Sequence, residues 1–289
     1  MNLDMKAILI PIFGGLGNQM FQVAHGVTLA RRRGLEARFV DLTSTVGRVG
    51  REFGLDCFNI DQLFISQFKS DLLRLRISAS QRLQRIHPYL HLGVLLENIE
   101  RPAKNLESIC TVCSGYWQGE KYFSADKEAI RAIFTFPNYD IPADLIHTDS
   151  LRNSVAVHVR RGDYISDPVA RNYHHVCDTN WYFLAINEIR SRLQQPRFYI
   201  FSDDRAWVSE VFGGLPDVIV VNSDPCAPAW VDMALMSRCS NFVISNSSYS
   251  WWASYLGKTA DSLIIAPKYW FSGVSTKKLD IMCEDWILL

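Results

Sequence analysis

From residue 154 onward, short apolar runs alternate regularly with segments of helical periodicity. We predict strands at five of these runs, with helices between them, at residues 154–159, 197–201, 218–221, 241–244 and 263–266. The first part of the chain opens in the same way, with an apolar run, a glycine-rich turn, a helical segment and a second apolar run. Strands that alternate with helices build parallel sheets, because each helix returns the chain to the edge where the previous strand began. The sequence therefore predicts an α/β protein with two parallel sheets.

The two predicted sheets are separated by residues 137–153, which contain two prolines and show no clear period. We place a domain boundary there and predict domains at residues 1–150 and 151–289. In open parallel sheets, ligands bind beyond the carboxyl ends of the strands. We therefore expect two domains that face each other across a cleft, with the polar motifs at the strand ends contributing to one site.

Composition excludes several classes of function. The 289 residues include 30 Lys and Arg and 30 Asp and Glu, so the chain lacks the basic field that nucleic-acid binding needs. Seven cysteines without a framework spacing favour free thiols in a reducing compartment. For the lone pair Cys110 and Cys113, we favour two thiols on a short strand over a zinc site.

Apolar segments long enough to cross a bilayer are not visible in the sequence. The N-terminal run at residues 7–13 is too short and lacks the pattern of a signal peptide, and no later run reaches eighteen residues. We therefore expect a soluble protein or one attached to a membrane surface.

A basic amphipathic helix is predicted at residues 69–85. Its apolar stripe consists of Leu72, Leu75, Ala79, Leu83 and Ile86, with Arg74, Arg82 and Arg85 on the flanks. Such a helix can lie on an anionic membrane surface. It can equally be a core helix with a solvated face, and this second interpretation is the one we favour.

A glycine-rich turn joins the first strand to the first helix. It includes Gly15 and Gly17 and is followed by Asn18 and Gln19. Small residues let a ligand approach the backbone, and the free N–H groups of a helix start favour anions or sugar hydroxyls. The run lacks the third glycine of a dinucleotide fingerprint and the lysine of a P-loop. Spacing alone leaves a binding loop and a tight turn without a ligand equally open.

Two adjacent arginines end the strand at residues 154–159. The run is His158, Val159, Arg160, Arg161, Gly162, Asp163 and Tyr164. The guanidinium fork suits phosphate oxygens, and neighbouring strand residues point to opposite sides. One arginine can therefore meet a diphosphate while the other pairs with Asp163 or another carboxylate. A purely structural ion pair is the alternative.

Paired carboxylates and a serine-rich turn end two later strands. Asp203 and Asp204 can hold a metal, act as acid and base, or bind a nucleobase or ribose, and Asp204 can instead cap a helix. Asn246, Ser247 and Ser248 open a helix, where hydroxyls and amides form an anion site. The chain contains no Asp-x-Asp element, and its absence argues against a metal site at these aspartates.

Other candidates carry less weight. His174, His175 and Cys177 are close in sequence but show no fourth metal ligand. His25 lies within the first helix, where a buried structural histidine is the commoner case. The chain contains neither a nucleophile elbow nor an HExxH motif, so a hydrolytic triad or a zinc protease is unsupported.

Taken in order, these motifs resemble the bacterial α1,2-fucosyltransferase family. The resemblance is carried by GGLGNQMFQ at residues 14–22, an aromatic loop at 115–123, HVRRGDY at 158–164, FSDD at 201–204 and SNSSYSWWA at 245–253. It extends from about residue 7 to about residue 270. The resemblance implies a GT-B glycosyltransferase fold with two facing Rossmann-like domains, of which the C-terminal one holds the nucleotide sugar.

The resemblance also implies a reaction. It is the inverting transfer of L-fucose from GDP-β-L-fucose to the 2-hydroxyl of a terminal β-galactoside in surface polysaccharide or O-antigen synthesis, without metal or cofactor. Arg160 would neutralise the departing diphosphate, with His158 and Asp163 shaping its site. Further donor contacts would come from Arg161, Asp203, Asp204, Asn246, Ser247 and Ser248. Gly15, Gly17, Asn18 and Gln19 would face donor or acceptor from the other domain.

Two alternatives stay open: a fucosyltransferase of another linkage, α1,6 or protein O-linked, and a non-catalytic nucleotide-sugar-binding module. A nicotinamide dehydrogenase is disfavoured by the missing third glycine. Animal members of the family carry a Golgi anchor, which is not visible here. We therefore expect a cytoplasmic enzyme. Lipid-linked acceptors would place it peripherally on the cytoplasmic face of the inner membrane. The general base and the exact acceptor glycan are not specified by the motifs.

Overall fold

The structure is a computed structural model that describes residues 7–44, 52–58, 60, 70–86, 92–97, 109–138, 153–174, 176–224, 226–275, 279 and 281–289. The chain forms two compact units, Met1–Thr135 (unit 1) and Phe136–Leu289 (unit 2). The domain boundary that we predicted within residues 137–153 falls mostly outside the described ranges and stays a prediction.

Unit 1 is built on a four-stranded parallel sheet. Its elements are β1 (Ala7–Ile12), α1 (Leu16–Arg33), β2 (Glu36–Asp41), α2 (Ser70–Ile86), β3 (Val94–Leu96), β4 (Val112–Ser114) and α3 (Lys127–Ile133). The strand order is β2-β1-β4-β3, with every neighbouring pair parallel. The chain passes from β1 to β2 on one side and later to β4 on the other, so the order reverses between β1 and β4. Such a reversal is the usual place for a ligand in an open parallel sheet.

α1 covers the sheet of unit 1 closely. The predicted stop at Gly34 is confirmed, since this residue ends the helix in the left-handed region at φ 64°. Gly26 faces β1 and β2, and a Cβ there would lie 2.7 Å from Cγ1 of Ile10 and 3.1 Å from Cε1 of Phe39. The missing side chain therefore sets the helix-to-sheet distance.

α2 forms as predicted, but it presents a different face to the core. Leu73 and Ile77 are buried, whereas Leu72, Leu75 and Ile86 of the predicted stripe are 63%, 69% and 78% exposed. The preferred interpretation, a core helix with a solvated face, is therefore confirmed, but the predicted stripe is not the face that the helix buries. The true buried face packs on β2, β3 and β4, and a single-helix pattern cannot show which of two apolar faces meets the sheet.

Unit 2 is built on a six-stranded parallel sheet. Its elements are β5 (Ser154–Val159), α4 (Gly162–Ser166), α5 (Pro168–Tyr173), α6 (Thr179–Arg192), β6 (Arg197–Ser202), α7 (Arg205–Phe212), β7 (Val218–Val220), α8 (Trp230–Ser237), β8 (Asn241–Val243), α9 (Ser248–Gly257), β9 (Ile264–Ala266), β10 (Tyr269–Phe271), β11 (Val274–Ser275) and β12 (Ile287–Leu288). The sheet order is β12-β9-β8-β5-β6-β7, and β10 pairs separately with β11. The order reverses between β5 and β8.

The predicted α/β class with two parallel sheets is confirmed. All five strands predicted in the second half are present, and β5 is buried along its whole length. Apolar side chains of β5, β6 and β8 pack against α6 and α7 to form the core of unit 2. The edge strand β12 was not predicted, because two residues are too few to show a period. Within the described ranges, the helices are all too short or too polar to cross a membrane.

The tight approach of α1 to the sheet gives a stability prediction. Replacing Gly26 with Ala forces the buried Ile10 side chain to move, which costs about 1–3 kcal/mol and exceeds the gain in helix propensity. We expect the thermal midpoint to fall by about 3–6 °C. Gly214→Ala is the matched control, because a Cβ at Gly214 meets nothing within 4 Å. A Gly26→Ala midpoint at or above that of the wild-type protein would contradict this packing.

Candidate active site

Three loops meet at the carboxyl end of the unit 2 sheet, on both sides of the point where its strand order reverses. They follow β5, β6 and β8. The β5 loop contacts the β6 loop through two ion pairs, and the end of β5 contacts the β8 loop through a hydrogen bond of 2.9 Å between Nδ1 of His158 and Oγ of Ser245. The predicted motifs of unit 2 therefore belong to one connected site.

The first ion pair joins Arg160 to Asp203. Nη1 of the guanidinium lies 2.8 Å from Oδ2, and each side chain is about one quarter exposed. Oδ1 of Asp203 also accepts from the backbone N–H of Arg161 at 2.9 Å. Gly162 makes this approach possible, because a Cβ there would lie 2.6 Å from Oδ2. Asp203 therefore holds both the guanidinium of Arg160 and the backbone of the β5 loop, and part of the ion pair stays accessible to solvent.

The second ion pair joins Arg161 to Asp204 and packs against an aromatic ring. Nε of Arg161 lies 3.2 Å from Oδ2 of Asp204, and its guanidinium lies 4.0 Å from the ring centre of Trp207. Asp204 also caps α7, accepting from the backbone N–H of Trp207 at 3.2 Å. The helix-cap alternative for Asp204 is thus present. Because both arginines pair with a carboxylate, the structural ion pair that we gave as the alternative also exists at this site.

His158 is a buried histidine on β5, two residues before Arg160. Burial lowers its pKa to about 4, with the charge of Asp203 acting against the shift and that of Arg160 adding to it. Its backbone carbonyl accepts from the Tyr182 hydroxyl at 3.4 Å. At neutral pH the imidazole therefore contributes hydrogen bonds rather than a charge.

The serine-rich turn leads from β8 into α9. Ser247 caps the helix, its hydroxyl accepting from the N–H of Tyr249 at 3.3 Å, and Ser248 is half-buried in the first turn. Asn246 is 1% exposed, and its amide donates to the carbonyl of Trp270 at 2.9 Å. The Asn246 side chain therefore ties the turn to β10, and its predicted contact with the donor stays a prediction.

Sequence reasoning missed Tyr249 and Asp232. The Tyr249 hydroxyl donates to the carbonyl of Ala229, and its ring centre lies 5.6 Å from that of His158. Burial raises the pKa of Tyr249 well above its usual value, and the nearby charge of Asp232 raises it further. Oδ1 of Asp232 is buried without a hydrogen-bond partner among the described residues. The sequence contained one signal for Asp232, because it is the single acidic residue in the otherwise mostly apolar helix α8.

The predicted site residues of unit 1 lie at the start of α1. Gly15 precedes the helix as its N-cap, Gly17 is buried in the first turn, and Asn18 is half-buried. Gln19 is fully buried. Its amide donates to the carbonyls of Gly14 and Glu52 at 2.8 and 2.9 Å and accepts from the N–H of Gly54 at 3.0 Å. In this structure the Gln19 side chain holds the turn in place, and its predicted contact with a ligand stays a prediction.

The remaining candidates from the sequence are dispersed. The side chain of Asp163 and all of His175 lie outside the described residues. His174 stacks on Tyr164 at 4.2 Å between ring centres, and burial raises the pKa of Cys177 to about 12. Among the described residues, no three His, Cys, Asp or Glu side chains group as a metal site. The predicted metal independence stays a prediction.

Comparison with known proteins identifies the family to which this chain is similar. The sequence model of glycosyl transferase family 11 matches residues 103–289. The chain is 32% identical to the O-antigen biosynthesis glycosyltransferase WbnK of Escherichia coli, over 96% of this chain and 98% of that protein. It is 31% identical to an alpha-1,2-colitosyltransferase of Escherichia coli, over 98% of this chain and 99% of that protein.

A shorter match reaches an animal protein. The human galactoside alpha-(1,2)-fucosyltransferase 1 is 31% identical over 109 residues, which are 37% of this chain and 30% of that protein. The family match covers more than half of the chain, and the two bacterial relatives align over almost all of it. The chain therefore belongs to glycosyl transferase family 11, and its resemblance to the α1,2-fucosyltransferases is confirmed.

Proposed function

We propose that this glycosyltransferase moves L-fucose from GDP-β-L-fucose to the 2-hydroxyl of a terminal β-galactoside. The observation that carries the proposal is the Arg160–Asp203 pair, in which Arg160 follows β5, one of the two strands between which the strand order of unit 2 reverses. A partly exposed guanidinium at that position suits a nucleoside diphosphate. The names of the relatives supply the type of sugar and the linkage.

The proposed chemistry is a direct displacement at the anomeric carbon of fucose. The acceptor O2 forms a bond to C1 on the face opposite the phosphate, and the C1–O bond breaks with its electron pair leaving on GDP. The configuration inverts from β to α, and the proton of the 2-hydroxyl passes to a general base or to water. Negative charge grows on the diphosphate as it leaves, so a fixed cation near it lowers the barrier.

Arg160 is the cation that we place at this diphosphate. Asp203 orients the guanidinium while leaving part of it open to solvent. The N-terminus of α9, capped by Ser247, supplies a partial positive charge from the neighbouring loop. Arg161 is stacked on Trp207, so we assign it mainly to holding the loop. Because these groups provide positive charge without a metal ion, we propose a metal-independent reaction.

The nucleoside needs acceptors as well as cations. Asp203 and Asp204 were expected to contact guanine or ribose, but both carboxylates bind arginines. Asp232 offers a buried oxygen with no hydrogen-bond partner among the described residues. We therefore propose Asp232 as an additional donor-site residue, suited to accept N–H groups of the base.

Colitose is a second candidate for the transferred sugar. The relative named as a colitosyltransferase aligns over nearly the whole chain, whereas the fucosyltransferase match covers 37% of it. Colitose is fucose without the 3-hydroxyl. A site that binds this hydroxyl rejects the deoxy sugar strongly, whereas a site lacking that contact accepts both.

A transfer assay tests the proposed function. We expect the purified protein to form an α1,2 linkage from GDP-fucose on lactose, Galβ1,3GalNAc or Galβ1,3GlcNAc, as read by NMR of the product, with the rate unchanged by EDTA. GDP-colitose in a parallel reaction identifies the preferred sugar. An α1,6 product, or GDP binding without turnover on any acceptor, would contradict the proposal.

We also propose that the enzyme works at an anionic membrane surface on lipid-linked acceptors of surface polysaccharide synthesis. The support is α2, whose exposed Leu72, Leu75 and Ile86 run along one side with the exposed arginines Arg82 and Arg85. Exposed leucines and cations on one helix suit the interface of anionic lipids. The O-antigen role in the name of one relative agrees with such an acceptor.

Vesicle binding tests this surface. We expect co-sedimentation with vesicles of phosphatidylglycerol and phosphatidylcholine, and much weaker binding to phosphatidylcholine alone. Arg82→Gln with Arg85→Gln should weaken binding about tenfold or more, since each cation near the surface contributes about 1 kcal/mol. Leu184→Ser is the control, because this leucine of α6 is also 63% exposed. Equal binding by the double variant and the wild-type protein would rule the surface out.

A further inference from the structure

Two loops of unit 1 meet where its strand order reverses, and the function above assigns nothing to their contact. The glycine turn follows β1, and a loop at residues 115–119 follows β4. They are joined by a hydrogen bond of 2.7 Å from Nε2 of Gln118 to Oδ1 of Asn18. Both loops therefore lie at the carboxyl edge of the sheet, at the position where open parallel sheets bind ligands.

The loop after β4 is held rigidly. The carboxylate of Glu97 accepts from the N–H of Tyr116 at 2.6 Å, and burial raises the pKa of this carboxyl group while the N–H groups of Trp117 and Tyr116 act against that shift. Gly115 has no room for a Cβ, which would collide with Glu97. These contacts fix the backbone on both sides of the next two aromatic residues.

Trp117 adopts a conformation that is unfavourable for a large residue. Its φ of 54° lies in the left-handed region, which costs of order 1–3 kcal/mol for a residue with a side chain. Its ring is buried and stacks on His25 at 4.3 Å between centres. Stacking and burial offset the strain, and the local reversal turns Trp117 inward while its neighbour Tyr116 is left outward.

Tyr116 is thereby presented as a fixed, partly exposed ring. It is 42% exposed, and its ring centre lies 5.1 Å from that of Phe13. The ring also lies close to the glycine turn, since a Cβ at Gly14 would be 3.3 Å from Cε1 of Tyr116. An exposed aromatic surface that packing has already oriented loses little entropy when it binds a ligand.

We propose that Tyr116, with the Asn18–Gln118 amide pair, forms the platform that binds the pyranose ring of the acceptor. A β-galactoside has an apolar face of C–H groups surrounded by hydroxyls, and aromatic rings and amides match these two parts. The assignment of the sugar as acceptor rests on the proposed function.

The charges at this site favour a neutral sugar over the nucleotide. The groups at the platform are an aromatic ring and two amides. Amides cannot neutralise a diphosphate, whereas the ion-paired arginines that suit one lie in unit 2. A nucleobase can also stack on a tyrosine, so the test separates effects on acceptor from effects on donor.

Steady-state kinetics of transfer to lactose test the platform. Tyr116→Ala removes about 50 Å² of ring face from the contact, and we expect the KM for lactose to rise about tenfold. The KM for GDP-fucose should stay within about twofold. Tyr116→Phe keeps the ring and is the matched control, for which we expect both constants to stay within about twofold. Tyr116→Leu keeps an apolar packing partner for Phe13 and serves if the alanine variant unfolds.

A binding measurement keeps the platform testable without transfer. In saturation-transfer NMR with methyl β-D-galactopyranoside and no donor, we expect signals from the wild-type protein and Tyr116→Phe, and their loss in Tyr116→Ala or Tyr116→Leu. An unchanged signal, or a rise in the KM for GDP-fucose alone, would overturn the platform. Absence of fucose transfer by the wild-type protein, with sugar binding intact, would instead count against the proposed function.

Discussion

Two guanidinium–carboxylate pairs connect the loops that follow β5 and β6, and the arrangement of the candidate active site depends on them. Asp203 binds the guanidinium of Arg160 and the backbone of Arg161, so one carboxylate fixes both the cation and the loop that carries it. Asp204 does the same for Arg161 and for the start of α7. Removing a carboxylate would leave a partly buried cation without its partner, which costs more than the pair itself stabilises. These aspartates therefore have a structural role that does not depend on contact with substrate.

Both units place their polar loops where the strand order reverses, but the chemistry of the two positions differs. In unit 2 the position carries cations, carboxylates and a helix start. In unit 1 it carries an aromatic ring and amides on a strained, well-anchored loop. The proposed reaction moves a sugar from a charged leaving group to a neutral acceptor sugar, and it needs both kinds of surface. The division between the units agrees with this requirement.

The sequence predicts the parts of the fold that repeat with a clear period and fails where one side chain has two possible uses. Strands such as β5 are apolar throughout, and glycines such as Gly34 end helices for steric reasons, so both are visible in the chain. Gln19 is polar and follows a glycine turn, yet it is buried to hold that turn. The apolar stripe of α2 is exposed because a second stripe meets the sheet. Asp232 was missed because its significance lies in a buried oxygen without a hydrogen-bond partner in the described part of the chain, which only the three-dimensional contacts reveal.

The most direct test of the account is calorimetric measurement of GDP and GMP binding. The two ligands differ only by the β-phosphate, which carries the fucose in the proposed donor. The wild-type protein should bind GDP more tightly than GMP by about tenfold to a hundredfold, the contribution of a charge-assisted contact. Arg160→Ala should reduce this preference to within about twofold. Arg190→Ala, which breaks a comparable ion pair with Asp217 at 2.7 Å, should retain the preference. A GDP preference that survives in Arg160→Ala would contradict the assignment of Arg160 to the diphosphate.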